Sequence, residues 1–252
     1  MGWTSNPPVM PASSPSAPPP TPFALPRTPG QRGPTRTPGR SALGALLGLW
    51  LSCHTGIAVG QGGGLGQGLA ARSQGRADAP VTIYEMSDFQ CPYCREFALE
   101  TLPVLEREYV ATGKVRLVYI NFPLEDRHRS ARAAARVALC AARLGKFWAV
   151  HDLLFRRQPQ WAAASDPIPY LVALADTAGA DRATVAQCVA SKATDAAVQA
   201  DLDAAMRAGA RSTPSFYIEG GLIEGAAPAP VFREVLDSIY RARSGHPAAL
   251  PH

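Results

Sequence analysis

Residues 1–77 contain no lysine, no aspartate and no glutamate. Their only charged side chains are the arginines 27, 32, 36, 40, 72 and 76. The first acid is Asp78, and from there to the end 19 basic residues face 20 acidic ones. The formal net charge of +5 therefore belongs to a tail and not to a folded face, which argues against a nucleic-acid partner. Long apolar runs are missing as well. Ala42 to Leu51 (ALGALLGLWL) is short for a membrane span, and His54 stops its extension. There is no internal repeat. Cysteines are few: Cys53, Cys91, Cys94, Cys140 and Cys188. A zinc knuckle needs two further ligands at suitable spacing beside a CxxC pair, and Cys140, Cys188 and the scattered histidines do not supply them, so no metal is expected.

What is present falls into two regions. Residues 1 to about 40 are rich in Pro, Ser, Thr and Gly and cannot form a packed core. Arg40, the apolar run and the small residues Ala58-Val59-Gly60 then describe a secretory signal with a cleavage site. No twin arginine precedes the run, which points to the general export route. A retained anchor, lipidation at Cys53 and a start downstream of Met1 are the alternatives. Gly60 to Ala77 reads as a flexible linker, so residues 1–77 form a tail and the folded domain is expected to begin near Asp78.

Within the domain, Val81 to Met86 is rich in β-branched and aromatic residues and predicts a strand. Phe97, Leu99, Leu102, Leu105 and Tyr109 recur at helical spacing, and Gly113 stops that helix. Val115 to Ile120 predicts a second strand, parallel to the first across the helical crossover. An alanine-rich region over about 127–210 breaks at Gly145, Pro159 to Pro169, Gly179 and near Ser191, giving four or five helices. Ser215 to Ile218 and Leu222 to Glu224 flank Glu219-Gly220-Gly221 as a hairpin. Val231 to Arg241 closes the domain as a helix, and residues 243–252 read as a frayed end.

The chemistry concentrates at Cys91-Pro92-Tyr93-Cys94. Spacing alone leaves zinc and redox roles open. Placement separates them. The pair falls after a strand and at the start of a helix, where unpaired backbone N–H groups and the helix dipole favour an anion. Cys91 should therefore ionise readily and act as the nucleophile. Pro92 suits the first helical turn. Cys94, one turn along and more buried, would resolve the mixed disulfide. Glu85 lies in an otherwise apolar strand. It is either a buried acid that relays a proton to and from Cys94, or a residue at the sheet end facing solvent.

Ser87 to Cys94 (SDFQCPYC) resembles the active-site segment of the DsbA-like thiol–disulfide oxidoreductases of the thioredoxin superfamily. Gly145-Lys146-Phe147-Trp148, with His151-Asp152 and Leu154-Phe155, resembles the signature within that family's helical insertion. Thr213-Pro214-Ser215-Phe216 resembles its cis-proline loop, and Ile223 to Ala226 the segment after its last hairpin. The likeness covers about residues 78–242. It implies an α/β thioredoxin fold with an inserted α-helical domain at about 127–210. It implies a catalytic set of Cys91, Cys94, Thr213, Pro214 and Glu85, with Thr213-Pro214 in cis beside Cys91. The backbone at Thr213 would pair with an extended substrate. It further implies a structural disulfide between Cys140 and Cys188, with two buried free thiols as the alternative.

The function implied is an exported, periplasmic or otherwise extracytoplasmic oxidoreductase acting on cysteine-containing secreted proteins. A membrane redox partner would reoxidise or reduce the dithiol, and no bound cofactor is needed. Two departures bear on direction. Strongly oxidising relatives carry histidine where this chain has Tyr93, and threonine before the cis-proline is shared with disulfide isomerases. A reductase or isomerase, or a peptide-binding holdase using the same groove, is the alternative. His128, His151 and the series Arg127, Arg129, Arg132 and Arg136 read as structural or solvated. Phe147, Trp148 and Phe155 read as core.

Overall fold

The structure, a computed structural model, describes residues 65–243. The apolar run Ala42–Leu51, Cys53 and the Ala58–Gly60 site lie outside the described residues, as does the expected frayed end beyond Arg243.

Two strands with the predicted β-branched pattern form the centre. β2 (Val81–Ser87) and β3 (Val115–Asn121) are parallel, with Glu85 opposite Tyr119. β4 (Ser215–Ile218) pairs antiparallel with β2 and places Phe216 opposite Glu85 on its other side. β5 (Gly221–Glu224) returns from β4 as a hairpin. The turn uses Glu219 and Gly220 at φ 49° and 89°, the left-handed pair a two-residue hairpin requires. The short β1 (Ser73–Gln74) adds to the far edge of β3, giving the order β1-β3-β2-β4-β5.

Side chains alternate across this sheet. Val81, Ile83, Val115, Leu117, Phe216 and Ile218 face a core shared with the helices of the crossover and the C-terminus. Met86, Val118 and Ile120 face the opposite side and pack on Ala204 and Ala205.

The crossover is one continuous helical segment over 92–110. It contains the regular turns α2 (Pro92–Glu96) and α3 (Leu102–Leu105), with wider turns at Phe97–Thr101 and Glu106–Val110. Pro103 cannot donate a backbone hydrogen bond, and the first widening falls just before it. Phe97, Leu102, Leu105 and Tyr109 are buried as the periodicity predicts, whereas Leu99 is only half-buried and lines a cleft.

Six helices follow: α4 (Ala131–Ala142), α5 (Phe147–Arg156), α6 (Gln158–Ala162), α7 (Ile168–Thr177), α8 (Arg182–Ala190) and α9 (Asp195–Arg207). Four or five were expected. The additional break falls at Arg157, which leaves helical geometry and separates α5 from α6. The core of this insertion is continuous with the dithiol segment, since it joins Phe147, Val150, Leu154, Phe155 and Trp161 to Phe89, Cys91 and Cys94. α10 (Ala229–Arg243) buries Phe232 and Leu236 on the same face of the sheet as the crossover helix. Trp148 is half-buried; its indole makes a T-shaped contact with Phe147, and its N–H donates to the Ser73 carbonyl at 3.3 Å.

The linker expected at 60–77 is not a linker from residue 65 onward. α1 (Leu65–Ala70) and β1 are packed elements. Arg72 is 2% exposed and pairs through both terminal nitrogens with the buried Asp201 of α9. The same carboxylate accepts from the backbone N–H and the side-chain amide of Asn121, at 3.1 and 2.8 Å. Gly75 sits so close to β3 that a Cβ there would lie 2.5 Å from the Val115 carbonyl oxygen. Glycine and arginine content suggested disorder here; a paired charge and a close backbone approach instead build this stretch into the domain.

Candidate active site

Cys91 caps the N-terminus of α2 in extended geometry, φ −70° and ψ 126°, and Pro92 follows in the first turn. Cys91 and Cys94 are both free thiols here. Their environments differ. Cys91 is 4% exposed at the surface end of the helix, while Cys94 is fully buried. The Cys94 thiol contributes most to drawing the Cys91 thiol down to about 6; burial opposes, and Thr213 and the backbone N–H groups of Cys94 and Tyr93 assist. Cys94 moves the other way. Burial pushes its thiol well above the ordinary value, and the neighbouring Cys91 adds to this. One cysteine of this pair can ionise near neutral pH and attack a disulfide, and the other holds its proton.

Thr213-Pro214 is a cis peptide bond. It brings the Thr213 carbonyl oxygen 3.4 Å from the Cys91 Sγ, across 122 positions of sequence. The Pro214 carbonyl is taken by the backbone N–H of Gly225 at 2.8 Å, which ties this loop to the end of the last hairpin. Tyr93 projects beside Cys91 and is 62% exposed.

Glu85 lies on the same face of β2 as Val81 and Ile83, two residues before Ser87. It is buried, and neither carboxyl oxygen has a hydrogen-bond partner of normal geometry. Burial raises its carboxyl to about 8; the nearby Ser87 hydroxyl offsets part of this, and Glu106 adds to it. The reading that placed Glu85 in solvent at the sheet end is therefore corrected: the residue is interior and holds its proton at neutral pH. Opposite it, the Tyr119 hydroxyl is also buried and pushed well up, first by burial and then by Glu85 and Cys94.

The segment that delivers Cys91 is held by polar residues whose role is not legible in the chain. Asp88 is buried and uses nearly every polar atom. Its N–H donates to the Cys94 Sγ at 3.4 Å, and its carbonyl accepts from the Cys91 N–H at 3.1 Å. Its carboxylate accepts from the backbone N–H groups of Gln90 and Leu124 and meets His128 Nδ1 at 2.8 Å. Gln90 accepts from the Ser130 N–H at 2.7 Å. Gln158 of α6 donates to the carbonyls of Phe89 and Cys91 at 2.7 and 2.9 Å. His128 was read as structural, but it faces the active-site segment directly. It precedes α4, which starts at Ala131, and is not on a helix face. His151 is buried among Phe89, Tyr119, Phe147, Trp148 and Phe155, in keeping with a structural role. Arg127 and Arg129 lie in the exposed approach to α4, whereas half-buried Arg136 bridges to Asp195 and the Val189 carbonyl. In the insertion, Cys140 and Cys188 are joined as a disulfide. Among the described residues no cluster of side chains is suited to a metal ion.

A dithiol at a helix start, a cis-proline loop against its first sulfur and a helical insertion over a mixed sheet define a thioredoxin-fold oxidoreductase. A family model described as thioredoxin matches residues 69–238, and the chain belongs to that family. Probable disulfide bond formation protein D of Bacillus cereus is 30% identical over 60% of this chain and 71% of its own length. A Na(+)/H(+) antiporter, NhaA 3 of Salinispora tropica, is 33% identical over 58% of this chain, which spans only 21% of that protein. Among solved structures, oxidised BdbD from Bacillus subtilis superposes with a TM-score of 0.62 at 23% identity, covering 68% of this chain and 92% of that one. DsbA from Chlamydia trachomatis gives 0.62 at 18% identity, over 69% and 93%. Within the thioredoxin family this chain is a protein-disulfide oxidoreductase with the fold of DsbA structures.

Proposed function

We propose that this protein is exported and forms or exchanges disulfides in secreted proteins through Cys91 and Cys94. The observation that carries the reading is the contrast between the two thiols beside the Thr213 carbonyl. Cys91 ionises at about 6, while Cys94 is buried and holds its proton. A dithiol whose thiolate is stabilised has a stabilised reduced form, and so its disulfide is a ready oxidant.

In the oxidising direction a substrate thiolate attacks Cys91 Sγ of the Cys91–Cys94 disulfide. That bond breaks, a mixed disulfide forms, and Cys94 leaves as a thiolate that takes a proton from Glu85. A second substrate thiolate then attacks the substrate sulfur of the mixed disulfide and releases Cys91 as a thiolate. Two electrons pass from the substrate to this protein. Glu85 regains its proton from solvent, and a quinone-linked membrane partner removes the electrons. The extended substrate lies along the backbone at Thr213 and Pro214, with its cysteine against Cys91 and its side chains against Tyr93.

The apolar run before the domain supports an extracytoplasmic site of action. Among the described residues no helix is long and apolar enough to cross a membrane.

Thr213 and the uncharged Tyr93 favour a second reading, a reductase or isomerase. Equilibration of the Cys91–Cys94 pair with glutathione separates the two. A potential towards about −120 mV supports the oxidase, and one near about −270 mV supports the reductase. A Cys94→Ser variant traps substrates on Cys91, and recovery of no mixed disulfides from cells overturns both.

A further inference from the structure

His128 lies far from the dithiol in sequence, yet its ring is coupled to it through one residue. Nδ1 meets the Asp88 carboxylate at 2.8 Å. The Asp88 main chain in turn holds the Cys94 sulfur through its N–H and the Cys91 backbone through its carbonyl, which accepts from the Cys91 N–H. Asp88 is buried, and two backbone N–H groups already donate to its carboxylate. The imidazole is partly buried, with its side chain 19% exposed.

Three charged groups face this imidazole. Asp88, from the loop after β2, does most to raise its affinity for a proton. The Cys91 thiolate, from the start of α2, raises it further. Arg127, its neighbour in the approach to α4, opposes them, as does burial. Without a cation at this position, a buried carboxylate would stand unbalanced next to the thiolate and disfavour it. Tyr93, between the two cysteines, is exposed and carries no charge that could do this work.

We propose that His128 is a positioning residue of the dithiol: as an imidazolium held by Asp88, it balances the charge of the Cys91 thiolate and so favours the reduced state of the protein. The oxidising tendency of the Cys91–Cys94 disulfide is then set in part from the helical insertion. This rests on the reading of Cys91 as the ionising thiol.

The coupling is reciprocal, so it can be read from the histidine in the unaltered protein. NMR titration of the full chain, with the His128 ring signal assigned by its loss in His128→Gln, should show a higher His128 pKa in the dithiol form than in the disulfide form. Equal values in the two forms overturn the proposal. In the folded His128→Gln protein, thiolate absorbance should place the Cys91 titration about one unit higher, and the glutathione equilibrium should shift about tenfold toward the disulfide. An unchanged Cys91 titration and potential overturn it as well. Alkylation mapping at each pH keeps the two readings apart. If the reactive thiol is not Cys91, the proposed function fails; if Cys91 reacts with an unaltered midpoint, only the role of His128 fails. Should His128→Gln not fold, the titration of the unaltered protein decides alone.

Discussion

Gln158, at the first position of a short helix in the insertion, donates from one amide nitrogen to the carbonyl oxygen of Cys91 at 2.9 Å. The same nitrogen reaches the Phe89 carbonyl at 2.7 Å. One side chain from the other part of the fold thus ties down two backbone acceptors at the mouth of the active site; the Cys91 carbonyl also accepts from the Arg95 N–H at 3.1 Å.

Replacing Gln158 by Leu should leave the Phe89 carbonyl without a donor and the Cys91 carbonyl with only the Arg95 N–H. The expected cost is about 1–3 kcal/mol for the group left unsatisfied. Thermal unfolding of Gln158→Leu should begin several degrees earlier. Amide exchange should increase at Cys91 and Gln90 before it increases in the sheet. Unchanged melting and exchange would show that the insertion does not hold this loop.

The reactivity of Cys91 should follow pH with a midpoint near 6, which iodoacetamide labelling of the reduced protein can measure. Cys94 should remain unlabelled through neutral pH, because burial holds its proton. In Cys94→Ala the largest contribution to the low value is gone, and the midpoint should move up towards that of an ordinary thiol. A midpoint above 8 in the unaltered protein would contradict the site geometry.

Glu85 should make the protein less stable as pH rises. Its folded value is raised to about 8 from an ordinary 4.5, so the unfolded chain gives up this proton first. The destabilisation is absent below about 4.5, grows between there and 8, and is complete above. Glu85→Leu should therefore gain stability relative to the parent as pH rises from 5 to 9, by up to several kcal/mol. Its disulfide exchange should slow at the step that needs a proton at Cys94. A difference in melting temperature that is flat with pH would remove Glu85 from that role.

Arg72 should be essential to the fold, although it precedes the sheet centre. Breaking a buried ion pair by removing one member costs about 3–5 kcal/mol. Arg72→Met should destabilise the domain by that amount, because Asp201 would keep only its bonds to Asn121. A chain starting at Asp78 should melt well below one starting at Leu65. Equal melting of the two would restore the linker reading for residues 65–77.

Much of the active-site chemistry is local and therefore readable. The strand at Val81 to Met86, the break after it and Pro92 in the first turn place Cys91 at a helix start. The pairing of β2 with β3 also follows from one short crossover. Residues supplied from a distance are not readable in this way. A glutamine before a proline looks like a loop residue, and nothing in the spacing of Gln158 says that its amide points at Phe89 and Cys91. His128 looked structural because a lone histidine near a helix start has no periodic partner. The tail misled for a different reason. Gly, Gln and Arg content describes the solubility of an isolated segment, whereas Arg72 is ordered by a carboxylate 129 positions away.

By itself the sequence determined the dithiol, the placement of Cys91 at a helix start and the apolar run ahead of the domain, because each depends on residues adjacent in the chain. Only the tertiary structure decided which acid is buried without a partner, which histidine meets Asp88 beside the dithiol and where the domain begins. Burial and ion pairing depend on what packs around a group, and here the groups that pack around Glu85, Asp88 and Arg72 come from separate parts of the chain.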